Sequence, residues 1–130
     1  MINSKVNKWD PIHDIPNQLY LNSLRDEANV LTVLLSNVDT DWDISIVFDG
    51  VISYQSVIET CSLEQLEKYP ILSSEWPLFW TDESNYIDRL VAQSYGMYEK
   101  KELIHYIITH GNGIINIVCF SKPLVTWVDP

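Results

Sequence analysis

The chain has 130 residues and a formal net charge of −10, from eighteen acidic against eight basic side chains. Hydrophobic residues make up 46% of it, with five Trp, seven Tyr and three Phe, which excludes an intrinsically disordered acidic tract. A surface this acidic repels nucleic acid and anionic membrane and attracts basic protein surfaces, and the length fits one domain, 1–130, that can bury a core without staples.

Residues 1–19 read as an irregular N-terminal arm. Pro11 and Pro16 restrict the backbone there, and Trp9, Ile12 and Ile15 are apolar enough to pack the arm on the body. From Leu19 the texture becomes β. Tyr20 to Leu24 predicts a short strand, Asp26 to Asn29 a turn, and Val30 to Leu35 a buried, β-branched strand. Asn37 to Asp43 is a polar, acidic loop. Ile44, Ile46 and Phe48 then alternate with Ser45 and Val47, as a strand with one buried face requires. Asp49-Gly50 follows at once and predicts a hairpin, with Val51 to Gln55 as the returning strand of a meander.

The middle of the chain is mixed. Ser62 is placed to cap a short helix over residues 63–66, with Glu64 or Gln65 near the capping-box position. Pro70 and Pro77 punctuate residues 70–83, which read as a loop carrying Trp76, Phe79 and Trp80. Tyr86, Ile87, Leu90 and Val91 fall at helical spacing, so a helix is predicted over about 84–95, with Gly96 as its C′ stop. Residues 103–109 and 114–120 predict two strands around the tight turn Gly111-Asn112-Gly113, and 124–128 a final short strand. The expected fold is α+β: six or seven antiparallel strands with one main helix packed on them.

No uninterrupted apolar run approaches the ~20 residues that span a bilayer, and no basic-then-apolar leader opens the sequence, which points to the cytoplasm. Cys61 and Cys119 both have apolar neighbours and read as free, buried thiols of a reducing compartment.

Motifs of chemistry are sparse. Asp39-Thr40-Asp41-Trp42-Asp43 has alternate carboxylates, but an EF-hand loop needs Gly at position six and Glu at twelve, where Ile44 and Gly50 stand. His105 and His110 are an odd number of residues apart on a predicted strand, which puts them on opposite faces and argues against a shared metal. A Cys119–His105 pair across adjacent strands is conceivable, but the surroundings of Cys119 suggest an inert thiol. No Gly-x-Ser-x-Gly nucleophile motif occurs, and Gly111-Asn112-Gly113 lacks the Lys-Ser/Thr of a phosphate loop. No catalytic residue, metal site or cofactor is expected. The aromatic residues are interleaved with Asp and Glu rather than with Lys and Arg, contrary to a nucleic-acid reader. Trp42 and Trp76, in predicted loops, are the expected exposed anchors.

Two stretches carry a resemblance. One is Ile44-Ser45-Ile46-Val47-Phe48-Asp49-Gly50 leading to Ser53-Tyr54-Gln55 and Glu59. The other runs from Ser84-Asn85-Tyr86-Ile87 through Gln93-Ser94-Tyr95-Gly96 to His105-Tyr106-Ile107-Ile108-Thr109 and Ile115-Asn116-Ile117-Val118. Together they resemble a group of small bacterial proteins, found as immunity proteins of polymorphic toxin–immunity systems; position 55 is Gln where that pattern carries Arg. The resemblance implies a protein that binds and neutralises a cognate toxin, and it implies no catalytic residue. Acidity points the same way, because toxins that cut nucleic acid are commonly basic around their sites, and charge complementarity raises association rate and specificity. The expected contact surface is Asp39, Asp41, Trp42 and Asp43, with Asp49 and Glu59 as neighbours. The competing readings are a phage-encoded anti-defence inhibitor that mimics DNA, and, third, a small enzyme.

Overall fold

The computed structural model of the chain describes residues 5–130. Among them are nine strands: β1 (Asn7–Lys8), β2 (Tyr20–Glu27), β3 (Val30–Ser36), β4 (Asp43–Asp49), β5 (Val51–Ile58), β6 (Leu78–Thr81), β7 (Ile104–His110), β8 (Gly113–Cys119) and β9 (Leu124–Val128). Two α-helices, α1 (Leu63–Lys68) and α2 (Asn85–Gln93), and short 3-10 segments at Glu59–Cys61, Pro70–Ser73 and Lys100–Glu102 complete the elements. The strands form two antiparallel sheets, ordered β2-β3-β4-β9 and β1-β6-β7-β8-β5. The fold is α+β, with more strands than the six or seven expected from the sequence.

The four-stranded sheet follows its sequence pattern. Leu31, Val33 and Leu35 of β3 and Ile44, Ile46 and Phe48 of β4 point inward and are fully buried, while Thr32, Leu34, Ser45 and Val47 form the outer face. Ala28 and Asn29, both with positive φ (51° and 67°), close the β2–β3 hairpin as a two-residue loop of the primed type, whose twist matches that of the strands.

Asp49-Gly50 does not make the predicted hairpin. β4 is flanked by β3 and β9, while β5 pairs with β8 in the other sheet. The chain leaves one sheet at Gly50 (φ +69°) and a second crossing returns at Ser121–Pro123, so β4–β5 and β9–β8 form one bent two-stranded ribbon. The corner is tight: Phe120 N–H donates to the Gly50 carbonyl at 3.2 Å, and a Cβ at position 50 would sit 3.2 Å from Ser121 Oγ. The dipeptide supplies the positive φ that a sharp turn needs, but a strand that comes 75 residues later takes the place beside β4.

The five-stranded sheet is covered on both sides. One face meets the four-stranded sheet around Phe48, Tyr106, Ile108, Ile115 and Ile117. The other carries two smaller cores, Phe79, Ile107 and Ile114 with Tyr69 and Leu72 after α1, and Ile87 of α2 with Leu103 and Val118. Double coverage explains why every residue of β8 is buried. It also explains β6, inside the segment expected to be a loop. Leu78 and Phe79 are both fully buried, so these four residues show no alternation, and Pro77 hides their start.

The N-terminal arm packs as its apolar residues suggested. Trp9 and Ile15 are buried, and the Trp9 ring lies 4.8 Å from that of Tyr106. Trp76, expected as an exposed anchor, is instead partly buried and donates Nε1–H to the Trp9 carbonyl at 3.1 Å. The first four residues of the predicted arm lie outside the described residues. Cys119 is buried as expected, whereas Cys61 is exposed because the 3-10 turn after β5 lifts it from the sheet; both thiols are free.

Candidate functional site

Two regions hold functional potential, and they differ in how their polar groups are satisfied. The first is the acidic loop between β3 and β4. Asn37 organises it: its Oδ1 accepts the backbone N–H groups of Asp39 (2.9 Å) and Thr40 (2.8 Å), and its Nδ2 donates to the Trp42 carbonyl at 2.9 Å. Trp42 N–H in turn donates to Thr40 Oγ1 at 3.1 Å. This Asx-type closure fixes the loop without using the carboxylates of Asp39 or Asp41. Asp43 opens β4 on its outer face and accepts a 3.4 Å hydrogen bond from Asn22 Nδ2. Trp42 is 44% exposed, and among the described residues no cation forms an ion pair with any of these carboxylates.

Asp49 shares the outer face of β4 with Asp43, but at the opposite strand end, roughly 20 Å along the strand. Glu59 follows β5 in the other sheet, where its N–H donates to the Asn112 carbonyl at 2.9 Å. Among the described residues no hydrogen bond or ion pair joins either residue to the loop. Asp39, Asp41, Trp42 and Asp43 thus lie together in one loop and the strand start after it, with Asp49 and Glu59 apart from them.

The second region lies on the helix side of the five-stranded sheet, in a cleft of about 390 Å3 between α1 and α2. Sequence reasoning did not single it out as a site. The strand register builds its floor. His105 of β7 sits opposite Val118 and Ile107 opposite Asn116, so His105 and Asn116 are diagonal neighbours on one face. Ser84 caps α2, its Oγ accepting Ile87 N–H at 3.1 Å. His105 bridges Ser84 and Asn116, with Nδ1 at 2.8 Å from Ser84 Oγ and Nε2 at 2.8 Å from Asn116 Oδ1. An amide oxygen only accepts, so Nε2 carries the hydrogen and Nδ1 accepts from the Ser84 hydroxyl. Gln65 of α1 closes the network with a reciprocal amide pair to Asn116, at 2.8 and 3.2 Å. Tyr86 sets its ring edge-on to His105 at 5.3 Å and places its hydroxyl 2.6 Å from Ser53 Oγ.

The line Ser84–His105–Asn116 has the outline of a nucleophile, base and orienting amide. All three side chains are buried and bonded to one another. Burial lowers the His105 pKa to about 4, which leaves the imidazole neutral and a weak base. Ser84 already uses its oxygen as a helix cap, and it is buried. The earlier Cys119–His105 possibility is removed by register: Cys119 pairs with Ile104 and faces the inter-sheet core, while His105 faces the helices. Burial also raises the Cys119 thiol to about 11, so it stays protonated.

The structure adjusts two capping expectations. Ser62 sits at the start of α1, but its hydroxyl donates back to the Ile58 carbonyl at 3.0 Å instead of capping. At the other end of α2, Tyr95 (φ +52°) takes the C′ position predicted for Gly96, which follows at φ +86°.

Among the described residues no group of three His, Cys, Asp or Glu side chains is placed to hold a metal ion, and no helix is long and apolar enough to cross a membrane. Comparison with protein-family models, with curated proteins and with solved structures finds no match for this chain.

Proposed function

We propose that the chain is a non-enzymatic acidic binding protein of the immunity type, which neutralises a cognate bacterial toxin by docking its acidic loop on a basic surface near the toxin's active site. The observation that carries this reading is the preorganised loop: three carboxylates around a half-exposed Trp42, held by Asn37 and free of intramolecular ion pairs among the described residues. Preorganisation lowers the ordering entropy that binding must offset. The acids steer a cationic partner, and the indole supplies the apolar anchor that most interface hot spots require. The weak basicity of His105 and the capped Ser84 support binding over catalysis.

The test begins with capture from the native host and mass spectrometry, followed by purified binding of the captured protein to the wild-type chain and to D39N/D41N/D43N and W42A. The expected result is a basic partner whose toxicity the wild-type chain suppresses on co-expression, and whose affinity drops at least about tenfold with either variant. Unchanged affinity in both variants rejects the loop as the contact surface. Turnover of a small metabolite by the purified chain rejects the non-enzymatic reading.

A further inference from the structure

The cleft between α1 and α2 has a charge balance opposite to that of the molecule. Ten more acidic than basic groups cover the chain, yet Lys68 and Arg89 line this cleft against a single carboxylate, Glu64. Neither cation forms an ion pair among the described residues. Aromatic faces position them instead: Lys68 Nζ lies 5.5 Å from the Tyr69 ring centre and the Arg89 guanidinium 5.7 Å from that of Tyr86. A cation held by a ring keeps its charge available, whereas one held by a carboxylate is already neutralised.

The floor adds donors without adding charge. Gln65 and Asn116 each spend one amide hydrogen on the other, and the second hydrogen of each NH2 group has no partner among the described residues. Gln55 lies opposite Asn116 in the β5–β8 register and lines the same cleft. Cleft volume falls within the range of small-ligand sites, which begins at roughly 300 Å3.

We infer that this cleft is a binding site for a small oxyanion-bearing ligand, a carboxylate or a phosphate ester, clamped by Arg89 and Lys68 and received by the amides of Gln55 and Gln65. Guanidinium, ammonium and amide N–H groups are the donor set that oxyanions select. The site is separate from the acidic loop, and this inference stands independently of the toxin-binding reading.

The experiment is NMR on the isotope-labelled full chain, following the Arg89 Nε–H and the side-chain amides of Gln55, Gln65 and Asn116. Separate titrations use glutarate, inorganic phosphate and adenosine monophosphate at low ionic strength. Saturable shifts at these groups with at least one probe are expected, and the responding probe distinguishes a carboxylate from a phosphate ligand. K68A/R89A alters only exposed side chains and is expected to weaken the response at least tenfold. E64Q, which removes the one carboxylate, is expected to strengthen it. The inference is overturned if none of the probes binds with a Kd below about 10 mM, if shifts fall outside the cleft, or if K68A/R89A leaves the titration unchanged.

Discussion

The acidic loop and the cleft floor are both polar, but they stand in opposite relations to the fold. In the cleft floor, Ser84, His105, Asn116 and Gln65 are hydrogen-bonded to one another, so removing any one of them leaves a bond of its partner unmade. In the loop, the backbone, Asn37 and Thr40 carry the closure, Asp43 accepts from Asn22, and the carboxylates of Asp39 and Asp41 are exposed. Buried polar groups that are satisfied specify structure. Exposed charges that are left unpaired on a fixed loop cost little stability and remain available to a partner.

The sharpest way to break this contrast is Asn116→Ala. It orphans His105 Nε2 and both amide contacts of Gln65, and is expected to destabilise the fold by about 2–4 kcal/mol in urea denaturation. A loss below about 1 kcal/mol would show that the floor is not the tight network described.

The pH dependence of stability probes the same floor. The folded pKa of His105, about 4, lies below the ordinary 6.5, so the unfolded chain takes up its proton first. The His105 contribution is therefore complete above about pH 6.5 and is lost as pH falls toward 4, an effect of up to about 3 kcal/mol. Comparing wild type with His105→Gln across that window isolates it. Parallel pH profiles for the two proteins would contradict the assignment.

Ser84→Ala removes both the α2 cap and the donor to His105 Nδ1, and is expected to cost about 2 kcal/mol by thermal or chemical melting. Ser84→Thr retains the hydroxyl and should recover much of the loss.

At the small end, D39N/D41N/D43N should leave folding stability within about 0.5 kcal/mol of wild type. A large loss would mean that these carboxylates hold the loop itself, and would remove the contrast between the two regions.

How far all this was legible in the sequence depends on whether the signal was local. The alternation of Ile44, Ile46 and Phe48, the helical spacing around Ile87 with Ser84 before it, and the paired apolar runs around Gly111-Asn112-Gly113 were each sufficient to place β4, α2 and the β7–β8 hairpin. β6 was not legible, because burial on both faces erases the period of two in a four-residue strand. The Asp49-Gly50 turn was visible, but its consequence was not, since the strand that displaces β5 from β4 lies far along the chain.

The two regions follow the same division. The acidic loop could be read directly, because it is one contiguous stretch. The cleft floor comes from α1, the α2 cap, β7 and β8, and only the register brings its residues together. A signal was present: His105 and Asn116 are lone polar residues inside apolar strands, and a buried polar group needs a partner. His105 reads across the sheet to Asn116, the diagonal neighbour, rather than to His110 along the strand or to Cys119, which faces the other side.

The central claim is that unpaired, preorganised carboxylates exist to meet a positively charged protein. It is tested most directly by the association rate between the purified chain and its captured partner, measured by stopped flow as a function of salt. The account predicts fast association that slows steeply with ionic strength, and a shallower salt dependence once Asp39, Asp41 and Asp43 are replaced by Asn. An association rate indifferent to salt, or one equally steep in that variant, would contradict it.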